Sequence, residues 1–408
     1  MHKFKRSIIF LLIVLMLCTN LSFAKDLEVK DTRAYILYNV ETDSIIASSA
    51  NINESVPIAS VSKLMTFYIA LNKLKSGEIH ESDEIEIKSE DCYPTGNRLG
   101  IKPGERYTLK RMLEIMMTNS CNDVTAAIAR HIAGSEAAFV TMMNEKAKEL
   151  GYNGAVFYNA HGLPRLPDLK QNSMCAKDVL DLSKRIIKEH PNYIDYTITV
   201  AIDYPEKNYH EENTNPIFGR DGVTGLKTGT TRAAGNCFVA TFHTSGDGVK
   251  TEDNEFIFVM LGAKTKELRV ENSAYVYEYA LENYSKKILL SKKSSKIAKY
   301  GLDDYKEEML EIEPKEDFVR SLNNGINTET KFIMDADLDY SHVKEGDVIG
   351  EYKVYIDGEE VFKTDAIAMN SLTKKTIFDR IYEFFMNCLL YTSPSPRDLS
   401  TSRMPSSA

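Results

Sequence analysis

"PIASVSKLMT", residues 57–66, sets Ser60 and Lys63 three apart at what reads as the apolar start of a helix. From Ile58 the apolar positions Leu64, Phe67, Leu71 and Leu74 recur at helical spacing until Gly77, a residue suited to ending a helix. On such a helix, side chains at i and i+3 lie about 5–6 Å apart at Cβ, so the Lys63 amine reaches the Ser60 hydroxyl. That is the geometry of a nucleophile and its base. A lysine at its ordinary pKa of about 10.4 is a poor proton acceptor near neutrality, and lowering it by about three units costs roughly 4 kcal/mol. Burial and a second positive charge nearby can supply that shift. A serine near a helix N-terminus also gains from free N–H groups when negative charge develops on it.

Ser-x-x-Lys alone is a cheap pattern, and it recurs at Ser22, Ser341 and Ser371. Ser22 falls in the apolar leader, Ser341 lies in a charged loop and Ser371 opens the terminal amphipathic helix. Two further triplets sharpen the reading. "SCN", Ser120–Asn122, follows the helical run "LKRMLEIMMTN", and "KTG", Lys227–Gly229, leads into a strand-like stretch. Decoys exist for these as well, at Ser49–Asn51, Ser321–Asn323 and Lys75–Gly77. Only 60–63, 120–122 and 227–229 combine that order with a helix start, an inter-helix turn and a strand.

Around these triplets, "RAYILYNVETDSIIASS" (33–49) alternates apolar and polar residues about Glu41–Asp43 and predicts a β-hairpin. Residues 108–150 read as two or three helices. "NCFVATFHTSGDG" and "EFIFVMLGA" read as strands separated by a polar turn. Strands at both ends with helices between them predict an α/β layer with a helical insert. After about residue 285 short strands broken by "LDDY", "NNG", "KEGD" and "IDGEE" predict a small all-β domain. "SLTKKTIFDRIYEFFMN" then places Ile377, Phe378, Ile381, Phe384 and Phe385 on one helical side, as expected of a helix in a membrane surface, with Lys374 and Lys375 meeting anionic lipid. A helix docked on its own domain is the other reading of this segment.

The three triplets together resemble the penicillin-recognising serine acyl-transferases. The flanks "MMTNSCNDVTAAIARHIAGS", "FVTMMNEKAKELGY", "NAHGL" and "GLKTGTTRAAGNCFVAT" are similar to those of the low-molecular-mass D-alanyl-D-alanine carboxypeptidases, and the resemblance runs from about Arg33 to Asn387. Cys121 stands where that family often has Gly or Ala. The resemblance implies an α+β fold: an antiparallel sheet with helices and a helical subdomain over 25–285, a β-rich domain over 286–369 and an amphipathic helix over 370–387. It implies that Ser60 is acylated, that Lys63 is its general base and that Ser120 passes a proton to the leaving amine. Asn122, Lys227, Thr228, Gly229 and Thr230 would bind substrate, with the backbone N–H groups of Ser60 and Thr230 as oxyanion hole. The implied substrate is the peptidoglycan stem peptide ending in D-Ala-D-Ala, β-lactams are the implied covalent inhibitors, and no cofactor is required.

Three alternatives carry different chemistry: a β-lactamase, for which no Glu-x-x-Leu-Asn match of the class A kind occurs; a D,D-endopeptidase; and a non-catalytic cell-wall scaffold. His161 in "NAHGLP" has no carboxylate partner in the sequence and reads as structural. Asp123 is expected to support the following helix turn, and Asp221 and Gly222 to shape the turn into the active-site strand.

The net charge of −9, from 50 basic and 59 acidic residues, leaves no basic footprint for nucleic acid. No HExxH-like spacing supports a metal. Residues 1–24 carry a basic start, an apolar run from Ile8 to Cys18 and a Ser-Phe-Ala end, and so read as a secretory signal cleaved before Lys25. The expected location is outside the cytoplasm, on the outer face of the cytoplasmic membrane. Residues 388–408 are Ser/Pro-rich and aperiodic, and they resemble translated sequencing-adapter DNA. Without these two ends, Cys92, Cys121, Cys175 and Cys237 form no CxxC pair and are expected as free thiols.

Overall fold

The computed structural model describes residues 27–300 and 302–391. The expected signal at 1–24 and the chain beyond Tyr391 lie outside them. The chain divides into two units: one up to Lys287 together with Arg320–Gly325, the other Ile288–Val319 and Ile326 onward.

The first unit contains strands β1 (Ala34–Asn39), β2 (Ser44–Ser48), β3 (Val223–Thr231), β4 (Gly235–Thr244) and β5 (Asn254–Ala263). They form one antiparallel sheet in the order β2-β1-β5-β4-β3. Its helices are α1 (Lys63–Ser76), α2 (Leu109–Asn119), α3 (Asn122–Ala133), α4 (Glu136–Glu149), α5 (Ala176–Glu189) and α6 (Lys266–Asn283). The two-residue period of the strands sorts the sheet's side chains into two cores. Phe238, Ala240 and Phe242 of β4 pack with Val276, Tyr277 and Ala280 of α6, whereas Cys237 and Val239 belong to the larger core of α1 to α5.

α1 is the centre of that larger core, and every residue from Lys63 to Leu71 is buried. Up to Leu71 the helix is buried on all sides and has no solvent face to offer, which is why Lys63 ends up inside. Gly77 closes it at φ 74, with its N–H donating to Leu74 O. Three helices form over 108–150. Thr108 caps α2 through Arg111 N–H, and Ser135 caps α4 through Ala138 N–H.

Residues Arg320–Gly325 group with the first unit, although strand pattern alone assigns them to the β-rich domain. The Ser321 hydroxyl accepts from Asn39 Nδ2 at 2.9 Å, and Asn324 Nδ2 donates to Glu282 O at 2.9 Å. Local periodicity carries no record of such a return of the chain.

The second unit is built from β6 (Ile297–Tyr300), β7 (Met309–Pro314), β8 (Thr328–Met334), β9 (Val348–Ile356) and β10 (Glu359–Ala368). They pair in the order β6-β7-β10-β9-β8 around Leu310, Ile312, Ile349, Tyr352 and Val354. Helix α7 follows at Ile377–Tyr391. It begins seven residues later than the expected start at 370 because Leu372 is buried in this core and its N–H donates to Val343 O at 3.0 Å. Thr376 then caps the helix: its hydroxyl accepts from Asp379 N–H, and Asp379 Oδ2 accepts from Thr376 N–H. The helix's polar side is held by Lys306–Asp379 at 3.1 Å and Arg380–Asp304 at 2.6 Å. Its other side leaves Phe378 83 % exposed, with Ile377, Ile381, Phe384 and Phe385 also exposed. Lys375, expected to meet lipid, is paired with Glu383 at 2.8 Å. Among the described residues, no helix is long and apolar enough to cross a membrane.

Candidate active site

A short 3-10 turn, Ala59–Ser62, carries the chain from the strand-like Val56–Pro57 into α1. Ala59 adopts φ 49, left-handed backbone that a residue with a Cβ rarely visits, so the turn before Ser60 is held under strain. What holds it is close backbone packing on two sides. Gly162, at φ 92, lies so near that a Cβ there would stand 2.0 Å from Ala59 O. Gly229 of β3 lies so near that a Cβ would stand 2.9 Å from both Ile58 O and Ser60 N. Only glycine permits either approach. Gly229, expected among the substrate-binding residues, lies in this structure against the Ser60 turn.

Ser60 is half-buried and Lys63 fully buried. Lys63 Nζ has three partners: Ser60 Oγ at 3.0 Å, Asn122 Oδ1 at 2.7 Å and His161 O at 2.7 Å. Two of these are carbonyl oxygens that can only accept, so they take two N–H bonds from the amine. The third direction faces Ser60. Burial first, and the Lys227 charge second, hold Lys63 well below the ordinary lysine range. A neutral amine in this position directs its lone pair at the serine hydroxyl.

The left-handed residue between α2 and α3 is Ser120, at φ 64. Its Oγ is buried with no hydrogen-bond partner in the described protein. Asn122 opens α3, and its amide orientation is fixed because Nδ2 donates to Thr95 O at 2.7 Å, leaving Oδ1 for Lys63. On β3, Lys227 is buried and donates to Thr228 O at 3.2 Å. Burial, followed by the Arg269 charge, brings its ammonium down to about 7. The Thr228 hydroxyl donates to Thr214 Oγ1 at 2.9 Å, and Thr214 Oγ1 donates in turn to Thr118 O at 3.0 Å. The structure thus links Ser60, Lys63 and Asn122 directly and sets β3 against their turn.

Several features were not legible in the motifs. Arg269 of α6 donates from Nη1 to Thr230 Oγ1 at 3.2 Å, while its Nε is buried without a partner. Among the described residues it has no carboxylate partner. Its local sequence, "KELRVENS", carries no mark of this. His161 does meet a carboxylate: Glu136 Oε1 lies 3.6 Å from its Nε2. Leu163 N–H donates to His161 Nδ1, and burial, followed by the Lys63 charge, pushes the imidazole down to about 3. The ring is therefore neutral and structural, and it is the His161 main-chain oxygen that serves the site. Cys121 is buried with Sγ 3.3 Å from Tyr209 Oη, and burial pushes its thiol up to about 12. Asp123 supports its own helix through Val124 N–H, as expected, but its other three bonds leave the helix. Asp221 O accepts from Tyr277 Oη, and Gly222 O from His243 N–H, which fixes the turn before β3. All four cysteines among the described residues are free.

Residues 22–265, more than half of the chain, match the model of the family described as D-alanyl-D-alanine carboxypeptidase. The chain belongs to that family. It is a peptidase of the low-molecular-mass penicillin-binding class. The D-alanyl-D-alanine carboxypeptidase DacF of Bacillus subtilis is 28 % identical over 351 residues, covering 84 % of this chain and 86 % of that one. DacC of Escherichia coli is 25 % identical over 366 residues, covering 87 % and 88 %. Among solved structures, penicillin-binding protein D2 from Listeria monocytogenes in its ampicillin-bound form is 28 % identical, with a TM-score of 0.52 over 61 % of this chain and 97 % of that one. The fold over the longer span is shared with the D-alanyl-D-alanine carboxypeptidase DacD from Francisella tularensis, at a TM-score of 0.61, 23 % identity and coverage of 86 % and 96 %.

Proposed function

We propose that this carboxypeptidase acts by acyl transfer through Ser60. Ser60 Oγ attacks the carbonyl of the penultimate D-Ala in a peptidoglycan stem, and Lys63 takes the hydroxyl proton. The developing oxyanion is met by the N–H groups of Ser60 and Thr230. Ser120 relays the proton that Lys63 took to the departing D-Ala nitrogen as the peptide bond breaks, and water, giving its proton to the regenerated Lys63 amine, then releases the shortened stem while Ser60 recovers its hydroxyl proton. Asn122 bonds the substrate amide, and Lys227 contributes positive charge. The terminal carboxylate is held by the Thr230 hydroxyl and Arg269. Thr228 joins them once its proton turns away from Thr214.

The observation that carries this reading is Lys63: a fully buried amine whose two carbonyl partners leave its third direction to a serine oxygen. Mass analysis of muropeptides after digestion tests it. Loss of one D-Ala from pentapeptide stems is expected; cleaved cross-links with intact pentapeptides would overturn it in favour of an endopeptidase. β-Lactams present a similar carbonyl beside a carboxylate, so the same serine takes their acyl group.

We also propose that the protein is exported and works at the outer face of the cytoplasmic membrane, with α7 lying in the surface. The exposed row of Ile377, Phe378, Ile381, Phe384 and Phe385 supports this. Truncation after Met369 is expected to remove the protein from floated anionic liposomes. Unchanged flotation would assign binding to another region.

A further inference from the structure

Asp123 is buried, stands next to Asn122, and has no salt-bridge partner among the described residues. Its carboxylate accepts four backbone N–H groups. Oδ1 takes Val124 at 2.9 Å and Leu99 at 3.1 Å; Oδ2 takes Gly100 at 2.8 Å and Ile101 at 3.3 Å. Three of the four belong to the 99–101 turn, so a carboxylate on α3 fastens a loop 22 to 24 positions earlier in the chain.

The residues just upstream of that turn orient Asn122. Asn122 N–H donates to Asn97 O at 2.8 Å, and Asn122 Nδ2 donates to Thr95 O at 2.7 Å. Asn97 Nδ2 also bonds Asn119 O. With Nδ2 committed to Thr95 O, the Asn122 amide has only Oδ1 to offer Lys63. Were the 95–101 loop to drift, the amide would be free to flip and set an NH₂ against the amine, where an acceptor is needed.

We propose that Asp123 is a positioning residue: by anchoring the 99–101 turn it holds the Thr95 and Asn97 carbonyls that fix Asn122 against Lys63. The proposal rests on the carboxypeptidase reading, in which Lys63 is the base. Asp123 also acts on that base through its charge. The ionisable groups around Lys63 are Lys227 on β3, His161 on the 159–163 segment, Cys121 before α3 and Asp123 on α3. Cys121 and His161 are neutral, and Asp123 opposes the downward push of burial and Lys227 on the amine.

Two variants of the full-length protein separate geometry from charge. Asp123→Asn replaces an acceptor oxygen by NH₂ facing amide donors and removes the charge. Its plateau rate constant for acylation by a reporter penicillin is expected to fall about tenfold, equivalent to ~1.4 kcal/mol. With the anion gone the amine stays neutral to lower pH, so the acid limb of the pH–rate profile is expected to move to lower pH. Asp123→Glu keeps the charge but misplaces the oxygens, so the plateau falls while the limb stays where the wild type has it. A folded Asp123→Asn protein with wild-type plateau and limb would overturn the proposal. If that variant does not fold, hydrogen exchange on the wild type decides: slow exchange at Leu99, Gly100 and Ile101 is expected, and exchange at open-loop rates overturns it. Labelling of Ser60 in the wild type is scored separately, so failure of the carboxypeptidase reading is recognised as such.

Discussion

Ser60→Ala is expected to bring covalent labelling by a fluorescent penicillin to background and to lower D-alanine release by on the order of 10⁴-fold or more, as removal of other serine nucleophiles does. The variant should still fold. The lost hydroxyl is half-buried, and its polar partners Lys63 Nζ and His161 O remain bonded to each other at 2.7 Å. A change in stability of about 1 kcal/mol is expected, the net value of one hydrogen bond. The measurement is paired: gel labelling reports the acyl-enzyme, and mass mapping of the wild-type adduct reports its position. Wild-type labelling of the alanine variant, or an adduct mapped to another side chain, would falsify the assignment.

Lys63→Met should cost on the order of 10²–10⁴-fold in acylation, the range for loss of a positioned base. Its pH dependence is more telling than its size. Wild-type acylation needs the amine uncharged, so the rate falls as pH drops through the lowered Lys63 pKa; methionine has no such limb. On the alkaline side, Lys227 loses its charge as pH rises through about 7. Affinity of the free enzyme for a carboxylate-bearing substrate therefore declines above that value, and this limb should survive in Lys63→Met. Stability follows a related sign. A lysine with a lowered folded pKa binds fewer protons folded than unfolded, so the wild type gains stability as pH rises from the folded pKa toward about 10.4. The methionine variant lacks that contribution. A residual acid limb identical to the wild type's would show that another group governs the rate.

Sequence patterns carried the elements whose period and punctuation are local. The apolar helix from Lys63 to its stop at Gly77, the hairpin about Glu41–Asp43 and the strands over 235–263 can each be read from a dozen consecutive residues. The Ser60, Ser120 and Lys227 segments could be singled out because each sits at a definable start, turn or strand. What escaped was made by backbone or by distant chain. The His161 oxygen holding Lys63 has no side-chain signature, and only Gly162 hints that a main chain passes close by. Arg269 reaches Thr230 from a helix whose local pattern is ordinary. Glu136 approaches His161 because α4 and the 159–163 segment pack together, and the true start of α7 depends on Leu372 finding a place in the β-rich core.

The buried thiol between Ser120 and Asn122 gives the enzyme an internal reporter. At neutral pH Cys121 has neither the access nor the ionisation that an alkylating reagent requires. Maleimide can therefore reach it only when the surrounding turn breathes open, and the modification rate becomes a clock for excursions of the catalytic cleft from its closed form. Ligands that clamp the cleft would slow that clock without any need for turnover.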